Sequence, residues 1–216
     1  MQPTRVDLPP DGDEWQHEIK YDGFRTQVIV ADGRARLYTR RGRDWSARCG
    51  SVAAIAAALP CRSAAIDGEM ILPDHAGHVS FRQLRAATKG APQRFALVAF
   101  DLLHFDGEDL RGLPLFERRR LLRDLLAGQS GAIQFSEELP GGGPAIYAAV
   151  ARMGLEGMVS KRRASPYRSG ATTDWLKTKC YDVGEFEIVG VERGPGKVAV
   201  ALLTKDGRYA GQPTSG

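Results

Sequence analysis

Cysteine is scarce in this chain, three in 216 residues, and Cys49, Cys61 and Cys180 form no Cys-x-x-Cys pair. That scarcity excludes a disulfide framework and a cysteine zinc site, and it fits a reducing cytoplasm. The four histidines, His17, His75, His78 and His104, are scattered without metal-ligand spacing. No apolar run reaches membrane-spanning length, so no membrane association is expected. Met1 to Gln16 is polar and carries Pro9-Pro10 and Asp11-Gly12-Asp13-Glu14, unlike a signal or transit peptide, and a cytoplasmic location is the expectation. There is no internal repeat. A dominant charge is also missing: 30 Lys and Arg stand against 26 Asp and Glu, and the net +4 suits a polyanionic partner without proving one.

What the chain does have is 43% hydrophobic residues, enough for one substantial core and a small second piece. His17 to Ile19, Thr26 to Val30 and Arg36 to Tyr38 alternate or run β-branched between breaks at Asp22-Gly23 and Asp32-Gly33, which predicts a small antiparallel meander. Val52 to Leu59 is alanine-rich and helical by propensity. Ala64 to Leu72 and Phe95 to Leu103 are buried strands, separated by a loop at Pro73 to His78 and a short helix at Phe81 to Ala87. Leu115 to Leu126 and Pro144 to Met153 are amphipathic helices. Met158 to Lys161 and Trp175 to Lys179 are short strands. Phe186 to Val191, a turn at Gly194-Pro195-Gly196-Lys197, and Val198 to Thr204 make a last hairpin, after which Tyr209-Ala210-Gly211 begins a third strand. Strands and helices mix without a βαβ rhythm, so the class is α+β.

Lys20-Tyr21-Asp22-Gly23-Phe24-Arg25 puts a lysine at a strand end, a glycine-containing turn after it, and an arginine at the next strand start. Alone, it stands at even odds with a solvated surface hairpin. Further charged runs follow: Asp67-Gly68-Glu69 at the end of an apolar strand, Glu156-Gly157 with Ser160-Lys161, and Asp174 to Lys179, where strand alternation puts Lys177 and Lys179 on one face. Singly, each reads better as a turn, a helix end or a solvated face; their occurrence in one fixed order does not.

The first run resembles the Lys-x-Asp-Gly-x-Arg motif of covalent nucleotidyltransferases, that is DNA ligases, RNA ligases and mRNA capping enzymes, and the later runs resemble their remaining core motifs over roughly residues 14–191. Tyr38-Thr39-Arg40-Arg41-Gly42 with Asp44-Trp45, and Phe100-Asp101-Leu102-Leu103, look most like bacterial ATP-dependent DNA ligases, including those of end-joining proteins; capping enzymes match less well. The resemblance implies a nucleotidyltransferase, ATP-grasp-like core of antiparallel sheets flanked by helices over residues 1–183, then an OB-fold start at 184–216.

It also implies a chemistry. Lys20 would take AMP covalently from ATP, expelling pyrophosphate, and hand it to the 5′-phosphate of nicked double-stranded DNA, where a 3′-hydroxyl displaces it. A lysine amine attacks only when unprotonated, so its reference pKa near ~10.4 has to fall, and Lys177 and Lys179 would lower it while offsetting phosphate charge. Mg²⁺ would bridge phosphate oxygens through Glu156 first and Glu69 second, Glu69 being equally suited to the ribose. Arg25 and Arg40 would grip ribose or phosphates, Lys161 would join the nucleotide contacts, and Glu18 with the backbone of Ile19 would read the adenine amino group. Phe100 would stack on adenine, although a phenylalanine in such a strand is more often core. The arginines of Arg118-Arg119-Arg120 and Arg123 are better read as a solvated helix face than as DNA contacts.

Residues 184–216 suffice for two or three strands rather than a five-stranded barrel, and carry no Arg-x-Asp-Lys-like motif. The expectation is a shortened ligase or a fragment with an unpaired strand edge, acting as a monomer, with end-joining or repair proteins as partners. A nucleotide- and DNA-binding module that does not seal is the alternative reading, and an RNA ligase or capping guanylyltransferase stands third.

Overall fold

The computed structural model describes residues 1–73, 95–129, 131–180, 185–194 and 199–211. The helix expected at Phe81 to Ala87, the loop beyond Pro73 with His75 and His78, and positions 195–197 of the last turn lie outside the described residues. Contacts divide the chain into two units, Met1–Cys180 and Tyr181–Gly216.

The described residues of the first unit form two sheets. In one, β1 (Gln2–Arg5), β10 (Ala171–Lys179), β9 (Gly157–Arg162) and β2 (Trp15–Ile19) lie side by side in that order, β1 running parallel to β10. The other runs β4 (Arg34–Thr39), β3 (Phe24–Ala31), β5 (Ser63–Ile71), β6 (Ala96–Phe105) and β7 (Glu108–Asp109), with β8 (Ile133–Phe135) also pairing β6. In β3 the buried residues Thr26, Val28 and Val30 alternate with exposed ones, the pattern of a strand with one covered face. The helices α1 (Gly50–Ala57) and α2 (Leu115–Leu125) cover that face, where Val52, Ala56, Leu122 and Leu125 join Val28, Ile66, Leu97 and Leu102 in the main core. β6 is buried almost throughout because its other face is covered as well. The third helix among the described residues, α3 (Gly143–Arg152), has Pro144 in its first turn and packs Ile146 and Val150 on Met158 of β9.

The expected meander is corrected in one respect. β3 and β4 form a hairpin, but His17 to Ile19 belongs to the other sheet, where β2 pairs with β9. The reason is visible in the backbone. Asp32-Gly33 and Asp106-Gly107 both take positive φ at each residue (47° and 72°, 47° and 101°), as two-residue hairpin turns require. Asp22-Gly23 does not; it carries the chain from one sheet to the other. Gly23 is needed there for closeness, since a Cβ would lie 2.3 Å from the Met70 carbonyl oxygen.

In the second unit, β11 (Glu187–Glu192), β12 (Val200–Lys205) and β13 (Arg208–Gly211) form a three-stranded antiparallel sheet, with an Asp206-Gly207 turn between the last two. Ile188, Val189, Val191 and Tyr209 are exposed on it.

Candidate active site

β2 ends at Ile19, and Lys20 follows it with its amide hydrogen-bonded to the Gly157 carbonyl (2.9 Å). The side chain reaches Glu156, Nζ to Oε2 2.6 Å. Glu156 owes its place to the next residue: Gly157 has φ 147°, and a Cβ there would lie 2.2 Å from the Thr178 carbonyl oxygen. Only glycine lets β9 approach β10 so closely, and the approach brings Lys179 Nζ to 3.7 Å from Glu156 Oε1. Lys177 sits two residues earlier on β10. Burial, then the neighbouring Lys20, Lys179 and Arg5, hold its ammonium below the usual lysine range, and Glu156 opposes them.

A cavity of about 290 Å³ opens between the two sheets of this unit. One side is formed by Glu18, Ile19, Lys20, Lys161 and Lys177, the other by Arg25, Arg40, Glu69 and Phe100. Glu156 and Lys179 adjoin it through Lys20 rather than lining it.

Arg25 places its Nε and Nη2 each 2.6 Å from the buried Asp67 carboxylate, which also accepts the Tyr167 hydroxyl (3.0 Å). Its guanidinium lies 4.7 Å from the Phe100 ring centre. The paired donors expected to grip phosphate are thus engaged with Asp67. Glu69, two residues along β5, has its carboxyl pushed up to about 7: burial raises it, Arg25 and Lys20 only partly oppose this, and Asp67 and Glu156 add to it. Phe100 meets Trp175 edge to face at 5.8 Å, and Lys161 Nζ lies 4.4 Å and 4.3 Å from the two rings.

Behind this wall Glu18 is buried and surrounded. Its Oε1 receives Gln16 Nε2 (2.9 Å), Arg119 Nη1 (3.1 Å) and Lys161 Nζ (2.7 Å), and Oε2 accepts from Ser136 Oγ (2.7 Å). The lysine approach is an ion pair whose angles fall outside those of a hydrogen bond. Burial would raise the Glu18 carboxyl, but Lys161 and Arg119 outweigh it and leave it below its ordinary value. Burial in turn lowers Lys161 to about 8 against the pull of Glu18.

The expectation of a solvated arginine face is corrected for half of it. Arg118 forks onto Asp101 (2.8 and 2.9 Å) and Arg119 binds Glu18, both side chains buried, while Arg120 and Arg123 are exposed. A run of like charges reads as a wet surface when its partners are distant in sequence. Asp67, Tyr167, Trp175, Ser136 and Arg119 were not marked as site residues by the sequence; Asp67, within the Asp-Gly-Glu run, was the nearest to being legible.

The model of the ATP-dependent DNA ligase domain matches residues 9–179. This chain belongs to that family. Relatives of this ligase domain include the multifunctional non-homologous end joining protein LigD of Pseudomonas aeruginosa, 37% identical over 98% of this chain and 26% of the relative. LigD of Mycobacterium bovis is 36% identical over 85% of this chain and 24% of its own. The ligase domain described here therefore spans about a quarter of the length of those relatives. Among solved structures, mycobacterial DNA ligase D complexed with ATP and MES is similar with TM-score 0.72 at 30% identity, over 97% of this chain and 71% of that one. The ligase domain of M. tuberculosis LigD is similar at TM-score 0.70, with the same identity and coverage.

Proposed function

We propose that this domain transfers AMP from ATP to Lys20 and then to the 5′-phosphate of nicked DNA, sealing the nick. The observation that carries the reading is the Lys20 ammonium, 2.6 Å from Glu156 at the edge of a cavity that also holds Lys177. Its side chain is about a fifth exposed, accessible enough to meet a substrate and enclosed enough to be oriented.

Phe100, backed by the buried Trp175, supplies an aromatic face for adenine, and Lys177 and Lys179 supply charge for the phosphates. Lys20 acts as a nucleophile only after its proton has passed to solvent. The neutral amine then attacks the α-phosphorus; a P–N bond forms, the P–O bond to pyrophosphate breaks, and pyrophosphate leaves with the electron pair. A DNA 5′-phosphate oxygen next attacks that phosphorus, and the P–N bond breaks as its nitrogen takes a proton from solvent, returning the lysine amine. Finally the 3′-hydroxyl oxygen attacks the 5′-phosphate phosphorus as its proton passes to solvent; the phosphodiester forms, the P–O bond to AMP breaks, and AMP departs with that electron pair.

Glu156 and Glu69 fit a hard divalent cation. Both are carboxylates beside the phosphate-facing lysines, and Glu69 is held high by burial near two other acids, a state that a cation would relieve. No cluster of three acidic, His or Cys groups occurs among the described residues, so phosphates and water would complete the coordination, as is usual for Mg²⁺. Bound there, Mg²⁺ would screen the charge of the reacting phosphates. Monomeric action, a cytoplasmic setting and a role in end joining follow from the same reading.

Incubating the chain with α-labelled ATP and Mg²⁺ tests it: acid-stable label on the protein that chases onto nicked DNA is expected. Nucleotide binding without an adduct would leave only a binding module.

A further inference from the structure

Two adjacent arginines of α2 are buried, and their partners differ in a telling way. Arg118 binds Asp101, the Leu113 carbonyl and the Ser165 carbonyl, none of which lines the nucleotide cavity. Arg119 does not line the cavity either, yet all three of its polar partners do. Its Nη1 donates to the Phe100 carbonyl (3.1 Å) and pairs with Glu18 Oε1 (3.1 Å), and its Nη2 donates to the Ser136 carbonyl (2.6 Å). Those partners belong to β6, to β2 and to the segment after β8, so a single guanidinium ties parts of both sheets to one frame. Phe135 closes the far side, 4.6 Å from the guanidinium carbon.

We infer that Arg119 is a positioning residue for purine recognition, holding the Glu18 carboxylate and the Phe100 ring in register without touching the nucleotide.

The geometry of Glu18 explains why register matters. Oε1 already has three nitrogens within 3.1 Å, whereas among the described residues Oε2 takes only the Ser136 hydroxyl, leaving it room for one more. A purine 6-amino group can fill that site; a 6-oxo group would set oxygen against oxygen and be rejected. Since Ser136 supplies the bond to Oε2 and its own carbonyl is held by Arg119, the arginine fixes both the acceptor and its neighbour. A lysine in its place has one compact ammonium and cannot span three acceptors.

The inference rests on the nucleotide-transfer reading, and its test separates the two. Arg119→Lys, Ser136→Ala and Arg118→Lys would be compared with wild type for lysyl-AMP formation from ATP and from GTP, with melting temperature followed in parallel. Arg119→Lys is expected to raise the KM for ATP about ten-fold or more and to cut the ATP-over-GTP preference about ten-fold, with kcat within about three-fold. Ser136→Ala should shift KM in the same direction by a smaller factor, and Arg118→Lys should lower the melting temperature while KM stays within about two-fold. Unchanged KM and preference in folded Arg119→Lys would overturn the inference. So would failure of Arg119→Lys to fold, or matching KM shifts at both arginines, either of which makes Arg119 a core group alone. An absent adduct in the wild-type chain is a separate result and counts against the functional reading.

Discussion

The rear, behind the cavity wall, and the mouth, beside Lys20, are made from the same residue types and behave as opposites. At the rear, Arg118–Asp101 and the cluster of Arg119, Lys161 and Glu18 have side chains no more than 5% exposed, with most donors and acceptors already matched. At the mouth, Lys20 and Glu156 are 20% and 25% exposed and Lys179 is 39% exposed. A buried charge that loses its partner has nowhere to turn, so the rear set is a scaffold. The mouth set can exchange one partner for another at low cost, as the proposed encounter with an incoming phosphate requires.

Substitutions can break this division. Arg118→Met leaves Asp101 buried and unpaired and should destabilise the fold by about 3–5 kcal/mol in denaturant titration. Lys179→Ala should leave unfolding nearly unchanged while slowing adduct formation at least about ten-fold; a stability loss as large as that of Arg118→Met would erase the distinction. Gly157→Ala comes next, at about 1–3 kcal/mol, because the side chain meets both an unfavourable φ and the Thr178 carbonyl. It should also slow adduct formation, since it pushes Glu156 and β10 apart.

The two regions should also differ in the sign of their pH response. Glu18 is depressed below its ordinary 4.5, so its contribution is present above that value and lost as pH falls through the lower folded value. Glu69 is raised to about 7, so stability is lost instead as pH rises from about 4.5 through 7. Glu18→Gln should abolish the acid-side loss and Glu69→Gln the neutral-side loss, each measured by melting temperature against pH. The smallest effect is expected at the outer half of α2, where Arg120→Ala and Arg123→Ala remove exposed pairs and should not shift the melting temperature measurably.

The mouth was more legible in the sequence than the rear. Period-two alternation put Lys177 and Lys179 on one strand face, and the Glu156-Gly157 run put an acid beside a further strand, although the closeness that demands the glycine shows only in the fold. The buried strands were legible because long apolar runs bounded by polar loops leave few alternatives. β1 was not: Gln2-Pro3-Thr4-Arg5 has no pattern of its own and is a strand only because β10 offers an edge. Nor could the dipeptide Asp-Gly reveal that it turns a hairpin at Asp32 and bridges two sheets at Asp22, since the difference lies in what Met70 presents to Gly23. The rear arginines stayed hidden because their acids, Asp101 and Glu18, sit on strands that only the tertiary fold brings to α2.

The account depends on a single nitrogen, and peptide mapping of the chain after exposure to ATP and Mg²⁺ reads it directly. AMP should be found on Lys20, with no adduct formed by Lys20→Ala. A folded wild-type chain that binds ATP yet carries no AMP, or carries it on another residue, would contradict the account.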